Sequence, residues 1–523
     1  MYDTLVGRVA HAVRQPERVP VVPDSGVVES SAPDPVRAAA QRRPDSCALI
    51  AGPALITWAQ LDERVDAAVR ELLTRCPHPG ERVALVLGNT IDFAVTYFGV
   101  LRAGLVAVPL NPGYTADELA YALTDSGASL VVAEKSVHER LRSVTRVRVQ
   151  ERVGSAAGPE PPAVDGEQLA LLLYTSGTGG RPKGAMLTHR ALAANHAQLD
   201  RIEPPVVGTD DVVLLAVPLF HAYGLNTGLG TVARHAQCGV LIDRFDPADT
   251  LRLIAEHAVS VVVGVPSMYA AWSRLPEAAS LATLRTAVCG AAPLEATDAA
   301  RFTAATGKKI LIGYGLTEAA PVLTTTAVSD RAKTGVIGRP LPGVSLRLRS
   351  AAGDVLWQDG TASIEDDLEL PTSPGSEPGE VVVRGANLFS GYWPDGHGGP
   401  DPDGWWGTGD IAYADSGGDL VLVDRIGELI LVNGFNVYPA EIERVLEAHP
   451  GVAEAAVIAV PDPATGQAPR AFVVAALDPP PTPAELQDHC ARQLARFKLP
   501  ATIEIVARLP HSATGKVRKG EMR

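Results

Sequence analysis

The sequence predicts an α/β protein with a β-rich subdomain: a large N-terminal domain over residues 1–424 and a small α+β domain over 425–523. Three observations predict it. A chain of 523 residues exceeds what a single core supports. From residue 35 onward, short Val/Leu-rich runs alternate with stretches of helical apolar spacing, the pattern of a mostly parallel sheet covered on both faces. Beyond Gly427 the pattern resets into helix, strand, strand, helix and strand within roughly one hundred residues, a common domain size.

In chain order, residues up to about 34 are irregular and Pro/Val-rich. Residues 61–73 have helical spacing, 82–87 form a buried strand, 91–101 a helix, 103–109 a strand, 116–125 a helix and 129–133 a strand. Residues 150–167 are a Gly/Pro/Glu-rich linker, followed by an apolar strand at 169–173. Strands at 212–217, 261–265, 284–289 and 309–312 each end in a Gly- or Pro-containing loop. Ligands of parallel sheets sit outside the carboxyl ends of strands, so these loops are expected to surround one crevice. Residues 335–384 are strand-rich, with an acidic, Pro/Ser-rich excursion at 354–380. In the last hundred residues, helices are expected at 439–449 and 484–496, with strands at 455–460, 471–476 and 503–506.

Composition excludes several classes. Hydrophobic residues make up 46% and charged residues 20%, ordinary for a globular chain, and the net charge of −14 argues against a nucleic-acid partner. Cys47, Cys76, Cys238, Cys289 and Cys490 are scattered without a CxxC spacing and read as reduced thiols. Residues 1–13 lack the apolar core of a signal peptide, and no apolar run is long enough for stable membrane insertion, so the expected location is the cytoplasm.

The most informative stretch is Tyr174-Thr-Ser-Gly-Thr-Gly-Gly-Arg-Pro-Lys-Gly184. Its glycines let backbone N–H groups converge, while Thr175, Ser176, Thr178, Arg181 and Lys183 add donors, together the chemistry of an anion cradle. It is not the common P-loop, whose lysine follows the last glycine, and its composition also suits a plain surface loop. Further on, Gly313-Tyr-Gly-Leu-Thr-Glu318 offers a flat ring at Tyr314, a hydroxyl at Thr317 and a hard carboxylate for Mg²⁺ at Glu318. The competing reading is a turn with a solvated glutamate. Gly290-Ala-Ala-Pro293 is a small apolar turn. Asp410 could accept from ribose hydroxyls. His221 lies at a strand end between aromatics, without neighbours at zinc-site spacing.

These motifs, in this order along nearly the whole chain, resemble the adenylate-forming superfamily of acyl- and aryl-CoA synthetases, peptide-synthetase adenylation domains and luciferases. The resemblance implies a large adenylate-forming domain and a small mobile C-terminal domain, acting on a carboxylic acid, ATP with Mg²⁺, and coenzyme A. It places Thr175, Ser176, Gly177, Thr178, Gly179 and Lys183 at the ATP phosphates, and Gly290, Ala291, Ala292, Pro293, Gly313, Tyr314, Gly315 and Thr317 around the adenine and α-phosphate. Asp410 and Arg425 fall to the ribose, Glu318 to the metal, and His221 to a gate between acyl and thiol channels. Lys516 falls to the acyl carboxylate and α-phosphate, where it would stabilise developing charge. Gly434 and Phe435, in Val432-Asn-Gly-Phe-Asn-Val-Tyr-Pro439, fall to the thiol tunnel.

Phe220, Tyr223, Gly264, Tyr269, Gly313 and Val322 are the expected acyl-pocket lining, apolar and without arginine, which favours a hydrophobic acid over a dicarboxylate. The absence of an Asp beside His221, and a chain that ends soon after Lys516, disfavour amino-acid adenylation coupled to a fused carrier domain. Loading of a separate acyl carrier protein is the nearer rival, disfavoured by the compact 319–340 segment, and a non-catalytic nucleotide-binding homologue is a further alternative. One departure stands out: Gly427 occupies the position where the family usually carries an Asp or Lys hinge.

Overall fold

A computed structural model of the chain describes residues 32, 34–145, 147–155, 157–175, 181–275, 281–329, 333, 335–359, 375–426, 428, 430–432, 435–463, 465–512 and 515–522. The first sheet has six strands in the order Arg148–Gln150, Leu130–Ala133, Arg82–Val86, Val106–Pro109, Leu169–Thr175 and Lys183–Thr188. All neighbours run parallel except the last pair, which is antiparallel. Both faces are covered, so its strands are apolar throughout: Val83, Ala84, Leu85 and Val86 are fully buried.

Helix Trp58–Arg75 starts in a capping box, in which the Thr57 hydroxyl accepts from the Gln60 N–H and the Gln60 side chain accepts from the Thr57 N–H. Its buried face, Leu61, Val65, Ala68, Val69 and Leu72, meets helix Ile91–Arg102. The almost fully buried Arg102 is neutralised by Asp34, Asp62 and Asp66 at 2.6–2.7 Å, which ties the chain before the first helix to this pair.

The second sheet has nine strands. At its centre Val212–Leu215, Val261–Gly264, Thr286–Cys289 and Ile310–Gly315 are parallel neighbours in that order. Their carboxyl ends, where the predicted crevice lies, are therefore side by side. A third, antiparallel sheet is built from Val355–Asp359, Val344–Arg349, Gly379–Gly385, Trp406–Ala414 and Leu420–Arg425. A single hydrophobic cluster runs from Val36 to Leu420 through these layers. The small domain has its own five-stranded sheet and its own core around Ile430, Val437, Ile442, Leu446, Val457, Val473 and Leu486. Among the described residues no helix is long and apolar enough to cross a membrane.

Two expectations are corrected, at Val355–Asp359 and at Cys47 with Cys238. Strand Lys183–Thr188 pairs antiparallel with Leu169–Thr175 and runs directly into helix His189–Asp200. Lys183-Gly-Ala-Met-Leu-Thr188 is apolar but short, and its pairing with Leu169–Thr175 decides its state. Val355–Asp359, read as part of an exposed excursion, pairs with Val344–Arg349; residues 360–374 lie outside the described set. Residues Tyr223–Gly230 form a π-helix, a rare element without a clear sequence signal that occurs often at functional sites. Cys47 and Cys238, expected as free thiols, are joined as a disulfide, because strands Cys47–Ala51 and Cys238–Leu241 are neighbours despite a separation of 191 residues. Cys76, Cys289 and Cys490 are free and buried.

Candidate active site

The crevice is assembled from strand ends. Gly264, Gly290 and Gly313 stand at the ends of adjacent strands, and the Gly290 N–H donates to Gly264 O at 3.3 Å. Space rather than flexibility requires two of them: a Cβ on Gly290 would sit 3.1 Å from the Tyr223 ring, and one on Gly264 would sit 2.9 Å from the Tyr269 hydroxyl. Both tyrosines are buried and both donate to Val288 O, at 3.3 and 2.7 Å. Burial pushes both phenols upward, so they stay neutral donors. Tyr223, Tyr269 and Val322 thus form an apolar wall, with half-buried Phe220 at its rim. His221 Nδ1 accepts from the Tyr223 N–H at 3.2 Å, and burial lowers its pKa to about 4. At neutral pH the ring is uncharged and carries its proton on Nε2.

Beyond Gly313 the chain turns sharply. The Leu316 N–H donates to Pro321 O at 3.0 Å, and a Cβ on Gly315 would lie 1.8 Å from that same oxygen. Only glycine lets the two segments approach this closely. Thr317 and Glu318 follow on a short 3₁₀ turn. This turn is held from behind by a buried amide network. Asn195 accepts from the Val322 N–H and donates to Val322 O, the Gln198 side chain donates to Asn387 Oδ1 at 3.0 Å, and Asn387 donates to Ala319 O at 2.7 Å. Glu318 is 7% exposed, and its Oε1 accepts from the Tyr392 hydroxyl at 2.7 Å.

Opposite it, Asp410 is buried between two donors. The Tyr314 hydroxyl bonds its Oδ2 at 2.6 Å and the Arg425 Nε bonds its Oδ1. Strands Trp406–Ala414 and Leu420–Arg425 place Asp410 and Arg425 directly opposite each other. Burial opposes charge on Arg425, yet Asp410 more than offsets this and raises its pKa. Lys516 reaches the same place from the small domain. It is exposed to water but stands in a crowded cleft, where desolvation and the Arg425 charge lower its pKa against the opposing pull of Glu428 and Asp410. A Cβ on neighbouring Gly515 would be 3.8 Å from Ser267 Oγ of the large domain. Lys519, three residues on, is clamped at 2.8 Å by both Glu428 and Glu443, which binds the Lys516 segment to the start of the small domain.

The fold therefore brings together Gly290, Gly313, Tyr314, Thr317, Glu318, Asp410, Arg425 and Lys516, with Ala291, Ala292 and Pro293 at the outer lip. Thr175 and Lys183 face each other across the base of the hairpin. Ser176, Gly177, Thr178, Gly179, Gly427 and Gly434 lie outside the described residues, and Phe435 is described only as part of strand Phe435–Val437. Sequence reasoning missed Tyr392. Its run Gly391-Tyr-Trp-Pro394 reads as a turn, and nothing in it announces that the turn folds back on strand Lys183–Thr188 through the Trp393 N–H to Gly184 O and the Met186 N–H to Gly391 O.

The two-domain fold and its motifs are those of a class, the AMP-forming acid–CoA ligases. The chain belongs to the AMP-binding enzyme family: residues 36–393 match that family and residues 441–516 match the AMP-binding enzyme C-terminal domain. Among its relatives, a feruloyl-CoA synthase from Amycolatopsis sp is 36% identical, over 94% of this chain and 97% of the relative. A long-chain-fatty-acid–CoA ligase from Yersinia pestis is 34% identical, over 93% and 92%. The crystal structure of ATP-bound MatB from Rhodopseudomonas palustris matches with a TM-score of 0.83 at 30% identity, covering 94% of this chain and 98% of that one. The o-succinylbenzoate CoA synthetase (MenE) from Bacillus subtilis, in complex with its acyl-adenylate intermediate OSB-AMP, matches with a TM-score of 0.81 at 27% identity, covering 95% and 99%.

Proposed function

We propose that the protein activates a hydrophobic carboxylic acid as its acyl-adenylate and passes the acyl group to coenzyme A. The observation that carries this reading is the approach of the Lys516 segment, through Gly515, to Ser267 of the large domain, beside Asp410 with its Tyr314 and Arg425 partners. In the first step a substrate carboxylate oxygen attacks the α-phosphorus of ATP; the new P–O bond replaces the bond to the β-phosphate, and pyrophosphate leaves. Substrate and triphosphate are both anionic, so Lys516 has a defined task, to stabilise charge as they meet. Tyr314 offers its ring to the adenine, Asp410 and Arg425 address the ribose, and Thr317 donates to phosphate. Lys183 and the hairpin loop hold the terminal phosphates.

Glu318 fits a magnesium ion. It is a buried carboxylate that makes no ion pair among the described residues, and no cluster of three or more metal-ligating side chains exists among them, so phosphates and water would complete the shell. The ion would neutralise phosphate charge. His221 Nε2–H faces away from its own backbone partner and suits a donor that holds the substrate carboxylate. In the second step the thiol sulfur attacks the acyl carbon, a C–S bond forms, the C–O bond to AMP breaks and the thiol proton passes to solvent. Here Gly434 and Phe435 are assigned to the thiol path.

The acid is apolar because Tyr223, Tyr269 and Val322 present no cation to a second carboxylate. A panel of fatty, aromatic and dicarboxylic acids, followed by pyrophosphate release with and without coenzyme A, tests this. Release with an apolar acid, and a thioester only when coenzyme A is present, is the expected result. Turnover confined to a dicarboxylate, or an acyl-adenylate passed only to an acyl carrier protein, overturns it.

A further inference from the structure

We infer that Tyr392 is a positioning residue that keeps Lys183 and Glu318 apart and separately available to the two halves of magnesium–ATP. This rests on the proposed roles of those two residues. The Tyr392 hydroxyl donates to Glu318 Oε1 at 2.7 Å, and the Lys183 ammonium lies 5.1 Å from the centre of the same ring. A single side chain therefore touches both the cation meant for the terminal phosphates and the carboxylate meant for the metal. The contact to the lysine is a cation–π contact, which holds an ammonium without neutralising it. The contact to the glutamate is a hydrogen bond from a neutral donor to Oε1, which orients the carboxylate, leaves its charge intact and leaves Oε2 to other partners.

The alternative is direct pairing of the two. Lys183 and Glu318 form no ion pair among the described residues, although they share this neighbour. If they met, each would cancel the charge the nucleotide needs from the other. Tyr392 is built to resist that collapse. Its ring stands against Phe389 at 5.1 Å between centres and against His397 at 5.8 Å. Its backbone N–H donates to His397 O at 2.9 Å, and a Cβ on Gly398 would lie 3.2 Å from its ring. The Trp393 N–H is fixed to Gly184 O at 2.8 Å, one residue from Lys183, and the Phe389 N–H to Glu318 O itself at 2.9 Å. The segment 389–393 thus laces the hairpin to the metal-side turn.

The test uses the full-length protein and equilibrium binding rather than turnover. ATP affinity is measured by calorimetric titration twice, with excess Mg²⁺ and with EDTA. Tyr392→Phe keeps the ring and loses the hydroxyl. It should lower affinity for magnesium–ATP about tenfold, the scale of one hydrogen bond to a charged group, and leave metal-free ATP within about twofold of wild type. Tyr392→Leu removes the ring as well, so both affinities should fall, and adding Lys183→Met should cost little more, because the lysine is already captured by Glu318. A merely structural role lowers both affinities of Tyr392→Phe in parallel, and that outcome overturns the inference, as does magnesium–ATP binding equal to wild type. Failure of the parent reading looks different: wild-type protein would then bind ATP no better with Mg²⁺ than with EDTA.

Discussion

At the scale of single residues, burial sets which groups carry charge. Lys183 is exposed at the foot of the hairpin and free to follow a phosphate, so Lys183→Ala should lower ATP-dependent pyrophosphate release about 10²–10³-fold, the effect of removing one positioned donor. Binding of preformed acyl-AMP, which has no terminal phosphates, should barely change. Equal loss for both ligands would remove the assignment. Histidines show the opposite regime. His196 donates from Nε2 to Asn226 O at 2.9 Å, and burial lowers its pKa from 6.5 to about 4. The unfolded chain therefore binds a proton between those values that the folded one does not, and stability present above pH 6.5 is lost as the pH falls toward 4. His196→Gln keeps a donor and removes the titration, so its stability should fall less steeply over that window, by about 1.4 kcal/mol per pH unit for one proton. Urea titrations at several pH values between about 4 and 7 measure the two slopes. Identical slopes would refute burial of the His196 ring as the cause.

At the scale of elements, the active-site turn depends on amides far from it in sequence. Asn387→Ala leaves Ala319 O and the Gln198 amide without their partner in a dry interior. Each buried group left unpaired costs about 1–3 kcal/mol, and the turn bearing Glu318 loses its backing, so a lower urea midpoint and weaker magnesium–ATP binding should appear together. Normal nucleotide affinity in a destabilised variant would show that the network serves only the fold. No local pattern betrays this network, since Asn195, Gln198 and Asn387 read as surface polar residues until Val322 and Ala319 are placed beside them. The strands were legible for the contrary reason. Val261–Gly264 and Thr286–Cys289 are buried on both faces and carry that burial as unbroken apolar runs. The strand-end loops of the candidate crevice were legible because Gly, Pro and polar side chains cluster where strands end. Tyr392 was not, because its importance lies in a long-range return to Gly184. Strand Lys183–Thr188 was missed for a related reason, as its state is decided by pairing and not by propensity.

At the scale of the molecule, two needs conflict in one cleft. In the proposed reaction Lys516 would first lie against the α-phosphate and then yield its place to the thiol. Lys516→Ala should therefore lose adenylation by about 10²–10³ while still converting supplied acyl-AMP to acyl-CoA at near wild-type rate. Collapse of both rates would end the two-position reading. The clamp of Lys519 on Glu428 and Glu443 lies within the small domain, so rotation of that domain would carry the lysine segment with it as one piece. A further consequence follows from the interruption of the core at residue 425. The large domain's clusters reach no further than Leu420, whereas the small one closes its own around Ile430 and Val473, so the two cores are separate. On heating, the protein should absorb heat in two separate steps. The minor step, for about ninety residues, should carry roughly 60–70 kcal/mol near 60 °C. A non-reactive acyl-adenylate that bridges Lys516 and Asp410, as proposed, should drive the two peaks of a scanning-calorimetry trace toward one. A single sharp peak without ligand would mean that the two cores already melt as a single cooperative unit.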